Sequence, residues 1–280
     1  MIRSAIDKRG SSASGFADNK ISAADLVTET DIAVEKAIRA RIALTFPDHI
    51  VVGEEGTGAF VGESDRKERF VWIIDPIDGT TNFVHAFPVV AVSIGVAFGD
   101  ELIMGVVYNP LTDELWFAWK GCGGFLRRSS GTVSQIHTSS CADVGSSIVS
   151  TGFAVPLFRR SSASKESLEK LTKIVEHNTR ILMTGTRDIR RIGSAACDIC
   201  YVAMGRTDCY FEFGIKEWDI AAGLVILHEA GGDSSTIGGV KPYSIRGRNI
   251  LVASSTALRQ QMNNLLTDED IVKIIEEIEK

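Results

Sequence analysis

The stretch Val71-Trp-Ile-Ile-Asp75-Pro76-Ile77-Asp78-Gly79-Thr80-Thr81-Asn82 constrains the fold of this chain most strongly. Phe70 to Ile74 is a short β-branched and aromatic run, and it is stopped by Asp75 and by Pro76, which cannot continue a central ladder. Asp75 therefore stands at a strand end, Asp78 returns a second carboxylate to the same corner, and the Ile77 carbonyl between them lacks a regular ladder partner. Hard oxygen donors of this kind suit Mg²⁺, Mn²⁺ or Ca²⁺ and not zinc. Gly79 to Asn82 then reads as the opening turn of a helix whose free N–H groups and dipole would hold a phosphate. The same spacing also fits an Asx turn in which both aspartates only cap backbone.

Two other segments supply further carboxylates. Ile50-Val-Val-Gly53-Glu54-Glu55-Gly56 is a second strand ending in a glycine turn. Glu212-Phe-Gly-Ile-Lys-Glu217-Trp218-Asp219 precedes Ile220 to Glu229, an apolar run with the content of a buried helix, Asp219 at its start and Gly231-Gly232 after its end. Taken singly, each cluster is more often a solvated turn or a cap.

Together these blocks resemble the signature segments of the inositol monophosphatase family. The resemblance extends through Thr81 to Pro88, Ser93-Ile-Gly95, Asp25-Leu-Val-Thr-Glu-Thr-Asp31 and Arg191-Ile-Gly193-Ser194-Ala195-Ala196, in the family's order from about Lys20 to about Ala253. It implies an α+β fold, the five-layer αβαβα sandwich shared with fructose-1,6-bisphosphatase. It also implies one unit with an N-terminal lobe over about 20–145 and a C-terminal lobe over about 146–280; residues 1–19, by their own composition, read as a polar, disordered start.

The site roles follow from the same resemblance. Glu54, Asp75 and the Ile77 carbonyl would ligate a first Mg²⁺, and Asp75, Asp78 and Asp219 a second, with Glu54 reaching a weaker third. Gly79 and Thr80 would donate backbone N–H groups to the phosphate. Asp31 and Thr80 would lie behind the attacking water, which Thr80 and Glu54 align and deprotonate. Gly193, Ser194 and Ala195 would touch sugar and phosphate, Glu212 would accept ring hydroxyls, and Asp78 and Asp219 would border the substrate. Mn²⁺ would substitute for Mg²⁺, Ca²⁺ and Li⁺ would inhibit, and the protein would form a homodimer. The expected reaction is hydrolysis of myo-inositol monophosphate. The same chemistry on fructose 1,6-bisphosphate, histidinol phosphate or a 3′-phosphoadenosine nucleotide is the alternative, as is a catalytically silent, RNA-associated regulator.

The chemistry is coherent in its own right. Four acids around one cleft repel each other and a phosphate dianion, so such a site needs divalent charge. No P-loop appears, and no Ser, Cys or His falls in a recognisable nucleophile motif, so no covalent intermediate is expected. His85 reads as a packing or capping residue.

Composition sets the outer bounds. With 280 residues, 44% of them hydrophobic and 24% charged, the chain can bury a large core as an ordinary soluble globule. A net charge of −6 argues against nucleic acid as the main partner, and Arg159-Arg160 and Arg187 to Arg191 are short basic patches. No run is long enough to span a membrane, Met1 to Gly15 lacks a signal-peptide core, and five cysteines, an odd number, fit a reducing compartment, so a cytoplasmic protein is expected. Cys197 and Cys200 read as buried thiols within a helix.

Periodicity completes the outline. Asp31 to Thr45 reads as an amphipathic helix with Ile32, Ala33, Ala37, Ile38 and Leu44 apolar. Val89–Ala97, Leu102–Tyr108 and Glu114–Ala118 read as an antiparallel meander, and Gly121, Gly123 and Gly124 as a hairpin turn. Helices are expected over Lys165–Asn178 and Ser194–Met204, with strands around Ser146–Ser150, Ile181, Tyr210 and Ile250. Three departures from the family pattern stand out: the short polar segment before Ala24, Glu217 placing extra negative charge near the sugar pocket, and Thr151 to Pro156, which resembles relatives with broad sugar-phosphate tolerance.

Overall fold

A computed structural model describes residues 1–10, 23–56, 63–153, 165–183, 185–239, 245–267 and 273–274. Two sheets organise it. The first has seven strands in sequential order: β1 (Ile50–Gly53), β2 (Phe70–Asp78), β3 (Ala91–Phe98), β4 (Glu101–Asn109), β5 (Glu114–Trp119), β6 (Gly123–Arg127) and β7 (Val133–Ile136). Only β1 and β2 pair in parallel; the rest form an antiparallel meander. The expected turn at Gly121 to Gly124 joins β5 to β6, with Gly121 and Gly123 at positive φ. The second sheet runs β11-β12-β10-β8-β9, built from β8 (Ile148–Thr151), β9 (Asp188–Arg190), β10 (Cys209–Phe213), β11 (Asp233–Ser235) and β12 (Asn249–Ala253).

Helices fill the spaces on either side of each sheet. Outside the first sheet lie α1 (Ile2–Gly10), α2 (Ala23–Thr45) and α4 (Thr80–Val84), after the short α3 (Glu63–Arg66); Ile2, Val34, Ile77, Phe83 and Val90 close that layer. Between the sheets lie α6 (Ala195–Ala203) and α7 (Glu217–Glu229). A continuous core there joins Ile73, Val107, Trp116 and Leu126 of the first sheet to Ile199, Ile220 and Leu224 of the helices and Tyr210, Ile250 and Val252 of the second. Beyond the second sheet, α5 (Lys165–Met183) and α8 (Thr256–Leu266) bury Ile174, Ile181, Leu258, Met262 and Leu266 against Phe211, Phe213 and Leu251. Three apolar layers separated by two sheets make the expected αβαβα sandwich.

Helix α7 is the centre of the arrangement. Ile220 to Leu227 are buried on all sides of the helix, as befits an element covered by a sheet on each face. The contact with the first sheet is backbone to backbone, because a Cβ on Gly105 would collide with the Ala222 carbonyl. The close approach fixes where the N-terminus of α7, and with it Asp219, meets the edge of β2.

Several details differ from the sequence expectations. Strand β2 continues to Asp78 instead of stopping at Asp75, because the register with β3 shifts between Asp75 and Asp78, so Pro76 and Ile77 sit in an irregularity where no ladder donor is required. Ile181 is helical: Ile174, His177 and Ile181 share one buried face of α5, following the 3.6-residue period past Asn178. On α2 the inward face carries Asp31, Val34, Glu35 and Ile42, whereas Ile32 is 47% and Leu44 80% exposed. The inside of that helix is partly polar because it faces the acidic corner, and a hydrophobic count alone turns it the wrong way. The polar start holds a helix, with Ile2 buried and Arg3 donating to the Pro110 carbonyl and to Tyr108. Lys20 and residues 154–156 lie outside the described residues. None of the described helices is long and apolar enough to cross a membrane.

Candidate metal and phosphate site

The corner is assembled by three chain segments that meet only in the folded state. At the end of β2, Ile77 N–H donates to Asp75 Oδ1 at 3.0 Å and the Ile77 carbonyl accepts the Thr80 hydroxyl at 3.3 Å. This is an Asx turn, so the capping geometry and the acid cluster are one structure and not competing readings. Gly79 follows at φ 91°, a left-handed conformation natural to glycine, and it is the N-cap of α4, which starts at Thr80 without a side-chain cap from that position.

The second segment is the start of α6. Asp78 Oδ2 accepts from the Ser194 hydroxyl at 2.6 Å and from Ala196 N–H at 2.7 Å. Ser194 is also the N-cap, accepting from Cys197 N–H. Ser194 is 1% exposed, so its side chain is committed to the acid corner and the helix start. Asn82 ties this segment to α4, its amide donating to the Val89 and Ile192 carbonyls at 2.8 and 2.9 Å. The third segment is the first turn of α7, where Asp219 accepts the Lys216 N–H at 2.6 Å, a favourable place for a carboxylate at a helix start.

These segments bring ligand atoms of Asp75, Asp78 and Asp219 within 4.8 Å of one another. Glu54 lies outside that trio but belongs to the corner. Its N–H donates to the Ile74 carbonyl at 3.2 Å, which lays the turn after β1 beside β2. Much of the Glu54 residue faces solvent, yet its carboxyl end feels Glu55, Asp78 and Asp75.

The electrostatics follow from crowding like charges away from water. Burial, with Asp78, Glu54 and Asp219 adding to it, holds the Asp75 carboxyl well above the ordinary range. Burial and then Asp78 push Asp219 up to about 8; burial and then Glu55 push Glu54 up to about 7. Burial raises Asp78 to about 6, restrained by its hydrogen bonds from Ser194 and Ala196. Asp31 is 2% exposed, is raised to about 7 by burial and then by Glu55 and Glu54, and its Oδ2 has no hydrogen-bond partner. An all-oxygen donor set, an orphaned buried carboxylate oxygen and acids that destabilise one another's charged forms fit a divalent cation.

The remaining expected residues fall as follows. Glu212, on β10, is enclosed: burial raises its pKa while the Tyr210 hydroxyl, donating at 2.6 Å, and Arg191 lower it. Asp78 raises the Glu212 carboxyl and Glu212 in turn raises Asp219, so Glu212 faces the corner from the second sheet. Gly193 adjoins Gly79, whose Cβ, were there one, would stand 3.2 Å from the Gly193 carbonyl. Thr80 is exposed and bonded to Ile77; no hydrogen bond joins it to Asp31. Glu217, expected to charge the sugar pocket, is instead held by both nitrogens of buried Arg66 at 2.7 Å, which neutralises it. His85 is the exposed C-cap residue of α4. Cys197 and Cys200 are buried in α6 with their thiols pushed up by burial.

Sequence reasoning missed the buried Glu35, which bonds Arg39 and the Glu55 N–H, and the bridging amide of Asn82. A Glu and an Arg four residues apart on one predicted helix was the available signal for the first; for the second there was none beyond its place in the motif.

Comparison with known proteins agrees with this geometry. The family model described as the inositol monophosphatase family matches residues 1–276. Inositol monophosphatase 1 of Rattus norvegicus is 38% identical over 244 residues, covering 87% of this chain and 82% of the relative, and the Nus factor SuhB of Pasteurella multocida is 35% identical over 248 residues, covering 88% and 85%. Among solved structures, inositol monophosphatase II of Staphylococcus aureus superimposes with a TM-score of 0.77 at 30% identity, covering 99% of this chain and 92% of that one. With the acid trio, the sandwich and these matches in agreement, the chain belongs to the inositol monophosphatase family.

Proposed function

We propose that the protein is a Mg²⁺-dependent phosphomonoesterase that releases inorganic phosphate from myo-inositol monophosphates. The observation that carries this is the trio Asp75, Asp78 and Asp219 beside the helix start at Gly79 and Thr80. Glu54, Asp75 and the Ile77 carbonyl would hold one ion, Asp75, Asp78 and Asp219 a second, and Glu54 would reach a third. When bound, these ions offset the charge of the phosphate dianion, lower the pKa of an attacking water and stabilise the leaving oxygen. The Gly79 and Thr80 N–H groups would donate to phosphate oxygens. The Thr80 hydroxyl and Glu54 would orient the water and accept its proton, Asp31 standing behind them. On the alcohol side, Gly193 to Ala195 would border the sugar, and Glu212 would accept ring hydroxyls. Mn²⁺ is expected to replace Mg²⁺, with Ca²⁺ and Li⁺ inhibitory. We take the two sheets as two lobes of one unit, dimeric and cytoplasmic; the five free cysteines are in keeping with the last.

A polyol substrate requires Glu212 as an ionised acceptor. The variant Glu212→Gln is expected to raise KM for inositol 1-phosphate about tenfold or more, the scale of one charged hydrogen bond, while leaving 4-nitrophenyl phosphate within about twofold. Equal losses on both substrates would remove Glu212 from substrate recognition. Preference of the wild type for fructose 1,6-bisphosphate, histidinol phosphate or 3′-phosphoadenosine 5′-phosphate would keep the chemistry and change the substrate. The relatives named Nus factor SuhB favour a second reading, a regulatory partner protein, which would stand if no phosphate were released from any of these.

A further inference from the structure

The turn that carries Glu54 rests on an ion pair from α2, between the buried Glu35 and the partly exposed Arg39. Glu35, 2% exposed, accepts from Arg39 Nε at 2.6 Å on Oε1 and from Glu55 N–H at 2.9 Å on Oε2. Arg39 Nη1 in turn donates to the Val51 carbonyl at 3.0 Å in β1. Both glycines of the Gly53-Glu54-Glu55-Gly56 turn rest against this pair: a Cβ on Gly53 would stand 2.5 Å from the Glu35 carboxyl, and one on Gly56 would collide with Arg39 Nη2. The turn is thus bonded to Glu35 at Glu55 and packed against the pair at both glycines, and on its other side Glu54 N–H is bonded to Ile74, next to Asp75.

A carboxylate on an exposed turn would otherwise sample many positions, and ordering it would weaken any ion it binds. We propose that Glu35 and Arg39 are positioning residues that set the divalent-ion affinity of the corner by clamping the Gly53–Gly56 turn, so that Glu54 is held beside Asp75 before any ion arrives. Neither residue is among the proposed ligands, and the inference rests on the phosphatase reading above for the role of Glu54. Arg39 also neutralises Glu35, so the clamp adds no net charge to a corner already crowded with acids.

The test is Mn²⁺ binding by calorimetry, together with thermal melting of the ion-free protein, for wild type, Arg39→Ala, Arg39→Lys and Glu35→Gln. Arg39 is partly exposed, so its variants remain informative if Glu35→Gln does not fold. Arg39→Ala is expected to weaken Mn²⁺ binding about tenfold, as for other residues that orient a ligand, and also to lower the ion-free melting temperature, because it leaves the buried Glu35 without its partner. Arg39→Lys, keeping the charge, recovers part of the affinity. A lowered melting temperature with unchanged Mn²⁺ affinity would make the pair merely structural and overturn the proposal. A wild type that binds no Mn²⁺ would remove the phosphatase reading as well, whereas wild-type binding matched by all variants removes the clamp alone.

Discussion

Replacing Asp75 by Asn is expected to abolish turnover and at the same time to stabilise the ion-free protein. Asp75 is the most enclosed acid of the trio, and in the proposed site it bridges two ions. An amide is a poor bridging ligand, and losing on the order of 4 kcal/mol of transition-state stabilisation corresponds to about 10³-fold in kcat. The stability effect has the opposite sign. Without cations, Asp75 either carries a buried charge facing Asp78, Glu54 and Asp219 or must take up a proton to avoid it, so an isosteric neutral side chain removes that cost. A gain of about 1–2 kcal/mol, a few degrees in melting temperature for a chain of this size, is expected at pH 8 with a chelator present. Retained activity in Mg²⁺, or a destabilised ion-free variant, would contradict the account. The pairing of lost function with gained stability separates a metal site from a structural cap, because removing a structural cap lowers both.

The second large effect is on the pH dependence of stability. Asp219 is raised to about 8, Glu54 and Asp31 to about 7 and Asp78 to about 6, against about 4 in the unfolded chain. Each folded-state pKa lies above its unfolded value, so between about pH 4 and 8 the folded ion-free protein binds more protons than the unfolded one. The stabilising contribution of those protons is complete below about pH 4 and is lost as pH rises through 6 to 8. The melting temperature of the chelator-treated protein is therefore expected to rise on going from pH 8 to pH 6. Saturating Mg²⁺ reverses the trend, since the ions stabilise the carboxylates and protons compete with them. The Mg²⁺-induced increase in melting temperature is then largest near pH 8 and shrinks towards pH 5. Parallel pH profiles with and without Mg²⁺, followed by scanning calorimetry, would show that these acids hold no ion.

How much of this is legible in the chain can be judged residue by residue. The acid corner at Asp75 to Thr80, the antiparallel meander and the buried helix before Gly231 are local patterns, and local patterns are what alternation and helical period report. The run through Pro76 is not, because a strand irregularity depends on how β3 pairs with it. Nor is the inward face of α2, where Asp31 and Glu35 occupy positions a hydrophobic count assigns to solvent. The charge of Glu217 looks free in sequence and is cancelled by Arg66, 151 residues away. Glu35 and Arg39 carry a visible helical spacing, but what they hold, the turn at Glu54, appears only once β1 lies beside α2. The motifs revealed the clustered acids; the side chains packed around those acids are set by tertiary contacts that no window of sequence contains.

The most direct test is phosphate release from inositol 1-phosphate by the wild type, measured against Mg²⁺ concentration with Asp75→Asn in parallel. Saturable, chelator-abolished release by the wild type and none by the variant is the result this account predicts. Release that is independent of divalent ions, or equal in the two proteins, would contradict it.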